Sequence, residues 1–516
     1  MKRHSLITPG SLNRMLQAAK EASARRDFQQ SIELLERASR LAPANVNILL
    51  NLGWHFGLRH QFADAENSLE KAVRVAPNKA EILSAAGRLA AEMGDHSMAE
   101  RFFQRALEQK NVTADTVARL AELYERLLRA EDATRLAERA LHLDNACPLA
   151  RLTQARLHRQ AGRLAEAEQV LRPALMAADP QWRIRSHYEL GAICDWQGRY
   201  DDAMSAFLEA KVLLRPYAPP SLAQTSELIF RSLEEMQANV SADLFQRWSD
   251  SVQELLQPPR RLALLGGHAR SGTTLLEQVL DSHPDIVSAE ETTTFYDDAY
   301  TPLRENLPRE TSTLARLDGA PTQTLRQARD RYFQTMSRCV ARPLEQRLLI
   351  DKNPNLQPFI LYFVRIFPEA RLIVALRDPR DVVLSCFMQP LWPLNTGSVN
   401  YLSLEGAAAA YRRVMGIWQT LKPLLKNPWL EARYEDMVEN LEAVAHKTLD
   451  FLEVPWDARV LGFAEHARKK VVRLANYADV TQPVYKRARG RWRHYQKYLE
   501  PQLAALEPLV KAFGYE

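Results

Sequence analysis

Cysteine is scarce in this 516-residue chain: Cys147, Cys194, Cys339 and Cys386 are its four, and no two form a C-x-x-C pair. Such spacing excludes a zinc ribbon or a disulfide framework and leaves reduced thiols that pack as small apolar residues. No stretch of about 18 apolar residues occurs, so no membrane-spanning helix is expected. Lys2 and Arg3 are followed by no apolar run. A cleaved secretory signal is therefore not expected, and cytoplasmic residence is. Surplus charge is missing too: 68 Lys and Arg against 63 Asp and Glu leave a formal +5. That is too little for a basic stripe along nucleic acid. With 46% hydrophobic and 25% charged residues, the composition is that of a soluble globular chain with room for about three domains.

The first 215 residues repeat. Ala38, Ala72, Ala106, Ala140 and Ala174 recur every 34 residues, as do Ala65, Ala99, Ala133 and Ala167. Gly53 and Gly87 open a third register, which Ala121 and Ala155 continue. Small residues at this period inside helical patterns are the tetratricopeptide signature, because paired helices approach too closely there for larger side chains. After Ala174 the register slips by two residues and resumes at Gly191, Ala203 and Ala210. Residues 1–215 are thus expected to form about six helix pairs, an α-solenoid whose concave face holds a peptide or protein. The alternative is a dimerising or steadying role, and a homodimer stays open. Trp54, His55, Phe56 and Trp196 sit in these helices and are explained as well by packing as by binding.

Pro216, Pro219 and Pro220 break the pattern, and residues 216–259 read as a linker with bridging helices closed by Pro258 and Pro259. From 260 to 516 the period changes. Short apolar runs at 262–265, 286–288, 348–350, 372–376 and 429–432 alternate with helical stretches. Strands alternating with helices predict an α/β domain, a parallel sheet flanked by helices that binds ligands beyond its carboxyl strand ends.

The first such run leads into Gly266-Gly267-His268-Ala269-Arg270-Ser271-Gly272-Thr273-Thr274 and then an apolar-periodic helix. This is a phosphate-cradling strand, loop and helix. Gly267 and Gly272 have P-loop spacing, yet Thr273 stands where a triphosphate-binding loop has lysine. Backbone N–H groups, hydroxyls and Arg270 remain, which suit a shorter anionic bridge such as a 5′-phosphosulfate better than ATP with magnesium. Polar residues also follow the other strands: Glu290-Glu291-Thr292, Asp351-Lys352-Asn353, Arg377-Asp378 with Ser385, and Arg433-Tyr434-Glu435-Asp436.

Together with Asp281-Ser282-His283-Pro284 and Gln482-Pro483-Val484 running to Gly490-Arg491-Trp492, these segments resemble the PAPS-dependent sulfotransferases in identity and order. The likeness is to the tyrosylprotein and bacterial tetratricopeptide-linked branches, and it spans residues 260 to about 497. PAPS is 3′-phosphoadenylyl sulfate. The resemblance implies that Arg270, Ser271, Gly272, Thr273 and Thr274 hold the 5′-phosphosulfate, and that Arg377 and Ser385 grip the 3′-phosphate. Tyr434 and Arg491 complete that site, Arg491 standing where lysine is common in a flap over the nucleotide. It further implies Glu291 as catalytic base, Glu290 as the neighbour orienting a basic partner, and Lys352 with Arg270 as cations stabilising the sulfuryl group in flight. No metal is required. His283 reads as structural, and whether His268 contacts the acceptor stays open. The acceptor implied is a tyrosyl residue held by the solenoid, with a glycan, lipid or small-metabolite hydroxyl as alternative. Two other readings stay open: a P-loop kinase or NTPase, which the missing lysine disfavours, and a non-catalytic scaffold.

Overall fold

The computed structural model describes residues 9–250, 260–305, 312–340, 342–391, 394–470, 481, 484 and 486–515. Gln482 and Pro483 of the resemblance lie outside them. The chain divides into two compact units, Met1–Ala177 and Ala178–Glu516.

In the first unit, helix hairpins pair α1 Pro9–Ala24 with α2 Phe28–Leu41, α3 Val46–Leu58 with α4 Phe62–Val75, and α5 Lys79–Met93 with α6 His96–Leu107. Two more pair α7 Ala114–Arg126 with α8 Ala130–Leu143 and α9 Pro148–Gln160 with α10 Leu164–Leu171. Asp27, Asn45, Asn78, Asp95 and Thr113 start five of these helices by accepting from a backbone N–H three residues on, which satisfies one of the donors a helix start leaves over. Each hairpin turns through one left-handed residue: Arg26, His60, Gly94, Leu128 and Gly162, with φ of 64°, 55°, 82°, 59° and 75°. They too lie 34 apart. The small-residue register has a steric cause, since a Cβ on Gly87 would stand 2.7 Å from Phe103.

The second unit opens with one more hairpin, α11 Pro180–Trp196 and α12 Tyr200–Leu214. Its left-handed turn residue is Gly198 (φ 75°), 36 residues after Gly162, matching the two-residue slip. The division between units therefore differs from the boundary at 215 expected from sequence. Ile184, Tyr188, Met204, Phe207 and Leu214 belong to one buried cluster with Leu264, Phe387 and Trp492, so the hairpin shares its core with the sheet. The helices Pro220–Ala238 and Ala242–Asp250, in the stretch read as a linker with bridging helices, add Phe230, Leu233, Phe245 and Trp248 to that cluster.

Five strands, β1 Leu262–Gly267, β2 Ile286–Glu290, β3 Leu348–Lys352, β4 Arg371–Leu376 and β5 Trp429–Arg433, form one sheet in the order β2-β3-β1-β4-β5. Every neighbouring pair is parallel. Leu262 and Leu264 of β1 join the cluster on one face, Ala263 and Leu265 the cluster on the other. Alternating side chains buried on both sides are what a parallel sheet between helices requires. From β1 the chain runs to β2 and β3 on one side, then crosses to β4 and β5. The order therefore reverses between β1 and β4, and ligands of such folds bind at that reversal. Among the described residues no helix is long and apolar enough to cross a membrane.

Candidate active site

The loop after β1 lies at the reversal. Gly267 (φ 114°) has its Cα against the Ala375 backbone of β4, where no side chain fits. Its N–H donates to the buried Gln357 Oε1 at 2.8 Å. Ser271 N–H closes the turn on His268 O at 3.2 Å, with Arg270 left-handed at φ 72°. A non-glycine in that region costs about 1 kcal/mol or more, and such strain concentrates at functional positions. Gly272 (φ 91°) begins helix Thr273–Asp281, and no side chain caps it. A Cβ there would meet the Tyr434 ring at 2.7 Å. The buried Ser271 Oγ has no hydrogen-bond partner. An uncapped helix start beside an unsatisfied hydroxyl leaves donors of the kind that an anion would accept from.

Two arginines converge on it from loops more than a hundred residues apart. Arg270 Nε donates to Ser385 Oγ at 3.1 Å. Arg377, buried at the end of β4, donates to Arg270 O at 3.2 Å and to Ala488 O at 2.5 Å. Its guanidinium lies 4.9 Å from the Tyr434 ring centre and 3.9 Å from Asp381, and its Nε is buried without a partner. A buried guanidinium with a spare N–H has the donor geometry that suits a phosphate group.

The neighbouring strand ends carry a second cluster. Lys352 closes β3, fully buried, in register with Glu290 of β2 and Leu265 of β1. Its Nζ lies 3.0 Å from Glu291, 3.4 Å from Glu277 and 3.9 Å from Glu290. Burial alone would lower its pKa, but the three carboxylates outweigh that and hold it above the ordinary lysine value. Glu277 is also fully buried and accepts from Ser288 Oγ at 2.7 Å. Glu291 is left-handed (φ 46°), and its N–H donates to Lys352 O at 2.8 Å. Of the ion partners it alone faces outward, with 26% of its side chain exposed. Next to it, burial pushes the Asp351 carboxyl up to about 7 against the opposing bond from the Tyr332 hydroxyl at 2.9 Å.

The structure thus gathers Arg270, Ser271, Gly272, Thr273, Thr274, Arg377, Ser385 and Tyr434 at one loop, and Glu291 with Lys352 on the same sheet edge. Arg491 does not join them: its guanidinium pairs with Asp195 at 2.9 Å. His268, whose contact with the acceptor the sequence leaves open, is a packing residue here. It is 3% exposed, its ring lies 4.9 Å from Tyr411, its Nδ1–H donates to Ala269 O at 2.9 Å, and burial lowers its pKa to about 4. His283 is structural as expected. Its Nδ1 accepts from Asp285 N–H at 3.1 Å, which leaves Nε2–H to donate to Pro455 O at 2.9 Å. Glu277, Gln357 and Asp381 were missed. Glu277 had a signal, a charge within the apolar register of Leu276, Val279 and Leu280; the other two act through contacts that spacing does not reveal.

Fold and site together define an α/β domain with an anion loop at its sheet reversal and a carboxylate and lysine pair beside it, preceded by helical repeats. Residues 263–458 match the model of the Sulfotransferase family, and residues 16–56 and 59–112 match the Tetratricopeptide repeat. The chain carries a sulfotransferase-family domain behind tetratricopeptide repeats. It is 25% identical over 341 residues to an uncharacterized protein of Aquifex aeolicus (strain VF5), covering 64% of this chain and 42% of that one. To Protein-tyrosine sulfotransferase 1 of Danio rerio it is 26% identical over 265 residues, covering 49% of this chain and 72% of the relative. The chain therefore spans less than half the length of the first relative and about seven-tenths of the second. Among solved structures, the sulfotransferase domain of the Synechococcus PCC 7002 olefin synthase is 22% identical, covering 45% of this chain and 86% of that one, with a TM-score of 0.33.

Proposed function

We propose that the chain is an enzyme moving the sulfuryl group of PAPS to a hydroxyl acceptor, a tyrosyl residue of a peptide or protein, with Glu291 as base. The observation that carries this reading is the partly exposed Glu291 bonded to the buried Lys352 at 3.0 Å, on the edge where the anion loop opens.

The residues present fit such a donor. Arg270 and the N–H groups of Ser271 to Thr274 would hold its 5′ anionic bridge, and Arg377 with Ser385 its 3′-phosphate. The unpartnered Ser271 Oγ and Arg377 Nε are the donors that an anion would satisfy. The loop has no lysine for a triphosphate, which disfavours the kinase reading. When bound, the donor supplies the sulfuryl group. Glu291 takes the acceptor's hydroxyl proton as the oxygen attacks sulfur and the bond from sulfur to the 5′-phosphate oxygen breaks, with adenosine 3′,5′-bisphosphate as leaving group. Once protonated, it loosens its hold on Lys352, whose ammonium stays anchored by Glu277 and turns an N–H toward developing oxygen charge.

The tyrosyl acceptor is supported by the likeness to protein-tyrosine sulfotransferases and by repeats of a kind that hold peptides. Full-length protein incubated with [³⁵S]PAPS and a cell extract, then split into protein, lipid, glycan and small-molecule fractions, tests it. Acid-labile label on protein tyrosine, lost with Glu291→Ala, is the expected result. Label confined to another fraction would overturn the acceptor, and failure to bind adenosine 3′,5′-bisphosphate would overturn the donor.

A further inference from the structure

The hairpin α11–α12 grips the chain segment that borders the anion site. Asp195, near the end of α11, accepts from Arg491 through Nε at 3.0 Å and Nη2 at 2.9 Å, and from the Tyr495 hydroxyl at 2.6 Å. Beside it the His494 ring stacks on Tyr200 at 4.2 Å and 12°, and Arg487 lies 3.8 Å from the centre of the Trp196 ring. Asp201 takes Lys497 Nζ at 2.8 Å and the Tyr498 hydroxyl at 3.0 Å. Residues 195–201 of one hairpin thus meet residues 487–498 with opposite charge and matched rings.

The other side of that segment meets the anion site. Ala488 O accepts from Arg377. The N–H groups of Gly490 and Trp492 both donate to the buried Asp381 carboxylate, at 2.7 Å and 2.8 Å. Asp381 in turn stands 3.9 Å from Arg377. Around Gly490, itself left-handed at φ 66°, the segment has residues 488–490 outside any helix or strand and leads into a short 3₁₀ turn, Arg491–Tyr495, ahead of the helix Gln496–Ala512. Its position therefore depends on anchors from outside, and Arg491 points to the hairpin while its flanking N–H groups point to Asp381.

We propose that Asp195 is a positioning residue for the donor site. Through Arg491 and Tyr495 it sets the backbone of 488–492 against Arg377 and Asp381, and so fixes the guanidinium that receives the 3′-phosphate. This rests on the donor reading above. A hairpin with the repeats' sequence register thereby serves the nucleotide, and Arg491 acts through its backbone and its ion pair without touching the ligand.

The test is calorimetric titration of full-length Asp195→Asn with adenosine 3′,5′-bisphosphate, with donor kinetics and thermal unfolding in parallel. Asp201→Asn serves as the comparison, because its partners Lys497 and Tyr498 lie beyond the segment at Arg377. Asp195→Asn is expected to weaken binding about tenfold, the size of a lost charge-assisted hydrogen bond, and to raise the donor KM more than it lowers kcat. Asp195→Glu, which keeps the charge and shifts it by one methylene, should fall between wild type and Asp195→Asn. It carries the test if the asparagine variant does not fold. Asp201→Asn should lower the thermal midpoint with less than twofold change in binding. Binding by Asp195→Asn within twofold of wild type, or equal losses in Asp195→Asn and Asp201→Asn, would overturn the proposal while leaving the donor reading intact. A wild-type protein that binds no adenosine 3′,5′-bisphosphate would overturn both.

Discussion

Lys352 keeps a positive charge where no solvent reaches it, and Glu277, equally buried, keeps one of the negative charges that permit this. Removing one partner leaves the other uncompensated, which typically costs about 3–5 kcal/mol. Lys352→Met should therefore lose both activity and thermal stability, and adding Glu277→Met should restore stability but not activity. Thermal melts beside single-turnover kinetics check this, and equal stability of the single and double variants would refute it. Glu291→Gln, partly exposed, should keep nucleotide affinity while kcat falls roughly 10²-fold or more. Elsewhere, Lys211 of α12 lies between the rings of Phe387 and Tyr188, its Nζ without a hydrogen bond, and burial lowers its pKa from 10.5 to about 7. Between those values the unfolded chain binds more protons than the folded one, so stability should rise with pH across that window, and the full penalty remains below it. Lys211→Met should raise the melting temperature at pH 7 and flatten its rise toward pH 10, a slope that melts at stepped pH would measure. Glu291 and Lys352 were legible because each directly follows an apolar strand. Asp195 was not, since nothing local distinguishes it from any helix-end aspartate.

At the scale of elements, periodicity carried most of the information. The 34-residue register is visible because every hairpin repeats one steric demand, a small residue under its partner helix. The strands are visible because a parallel sheet buried on both faces needs short unbroken apolar runs. The loop between β1 and its helix shows how tightly such an element is specified. Gly272 needs a left-handed φ of 91° and also leaves room for the Tyr434 ring, which a Cβ would meet at 2.7 Å. Gly272→Ala should therefore displace Tyr434 from beneath Arg377 and cut adenosine 3′,5′-bisphosphate affinity more than tenfold, measured by calorimetry on folded protein. Gly162→Ala shares the left-handed φ, at 75°, but its Cβ meets nothing within 4 Å. It should cost about 1 kcal/mol of stability and leave nucleotide affinity unchanged.

At the scale of the molecule, the boundary matters most. The repeat register runs on through 178–214, because sequence periodicity reports how the two helices of a hairpin pack on each other. It does not report what their outer faces meet, and there the hairpin joins the core of the sheet's unit. Ile184, Tyr188, Met204, Phe207 and Leu214 are all in that shared cluster. Each large apolar side chain buried is worth about 1.5–3 kcal/mol, so together they contribute on the order of 10 kcal/mol. A domain's whole stability is about 5–15 kcal/mol. A fragment of residues 178–516 should therefore unfold in one cooperative transition that adenosine 3′,5′-bisphosphate shifts upward, whereas one of residues 216–516, cut where the repeats end in sequence, should show no cooperative transition. Circular dichroism melts of both fragments, with and without the nucleotide, decide between them. If residues 216–516 melted as sharply and as high as residues 178–516, the hairpin would belong with the repeats, and the core it shares with the sheet would be incidental to the fold.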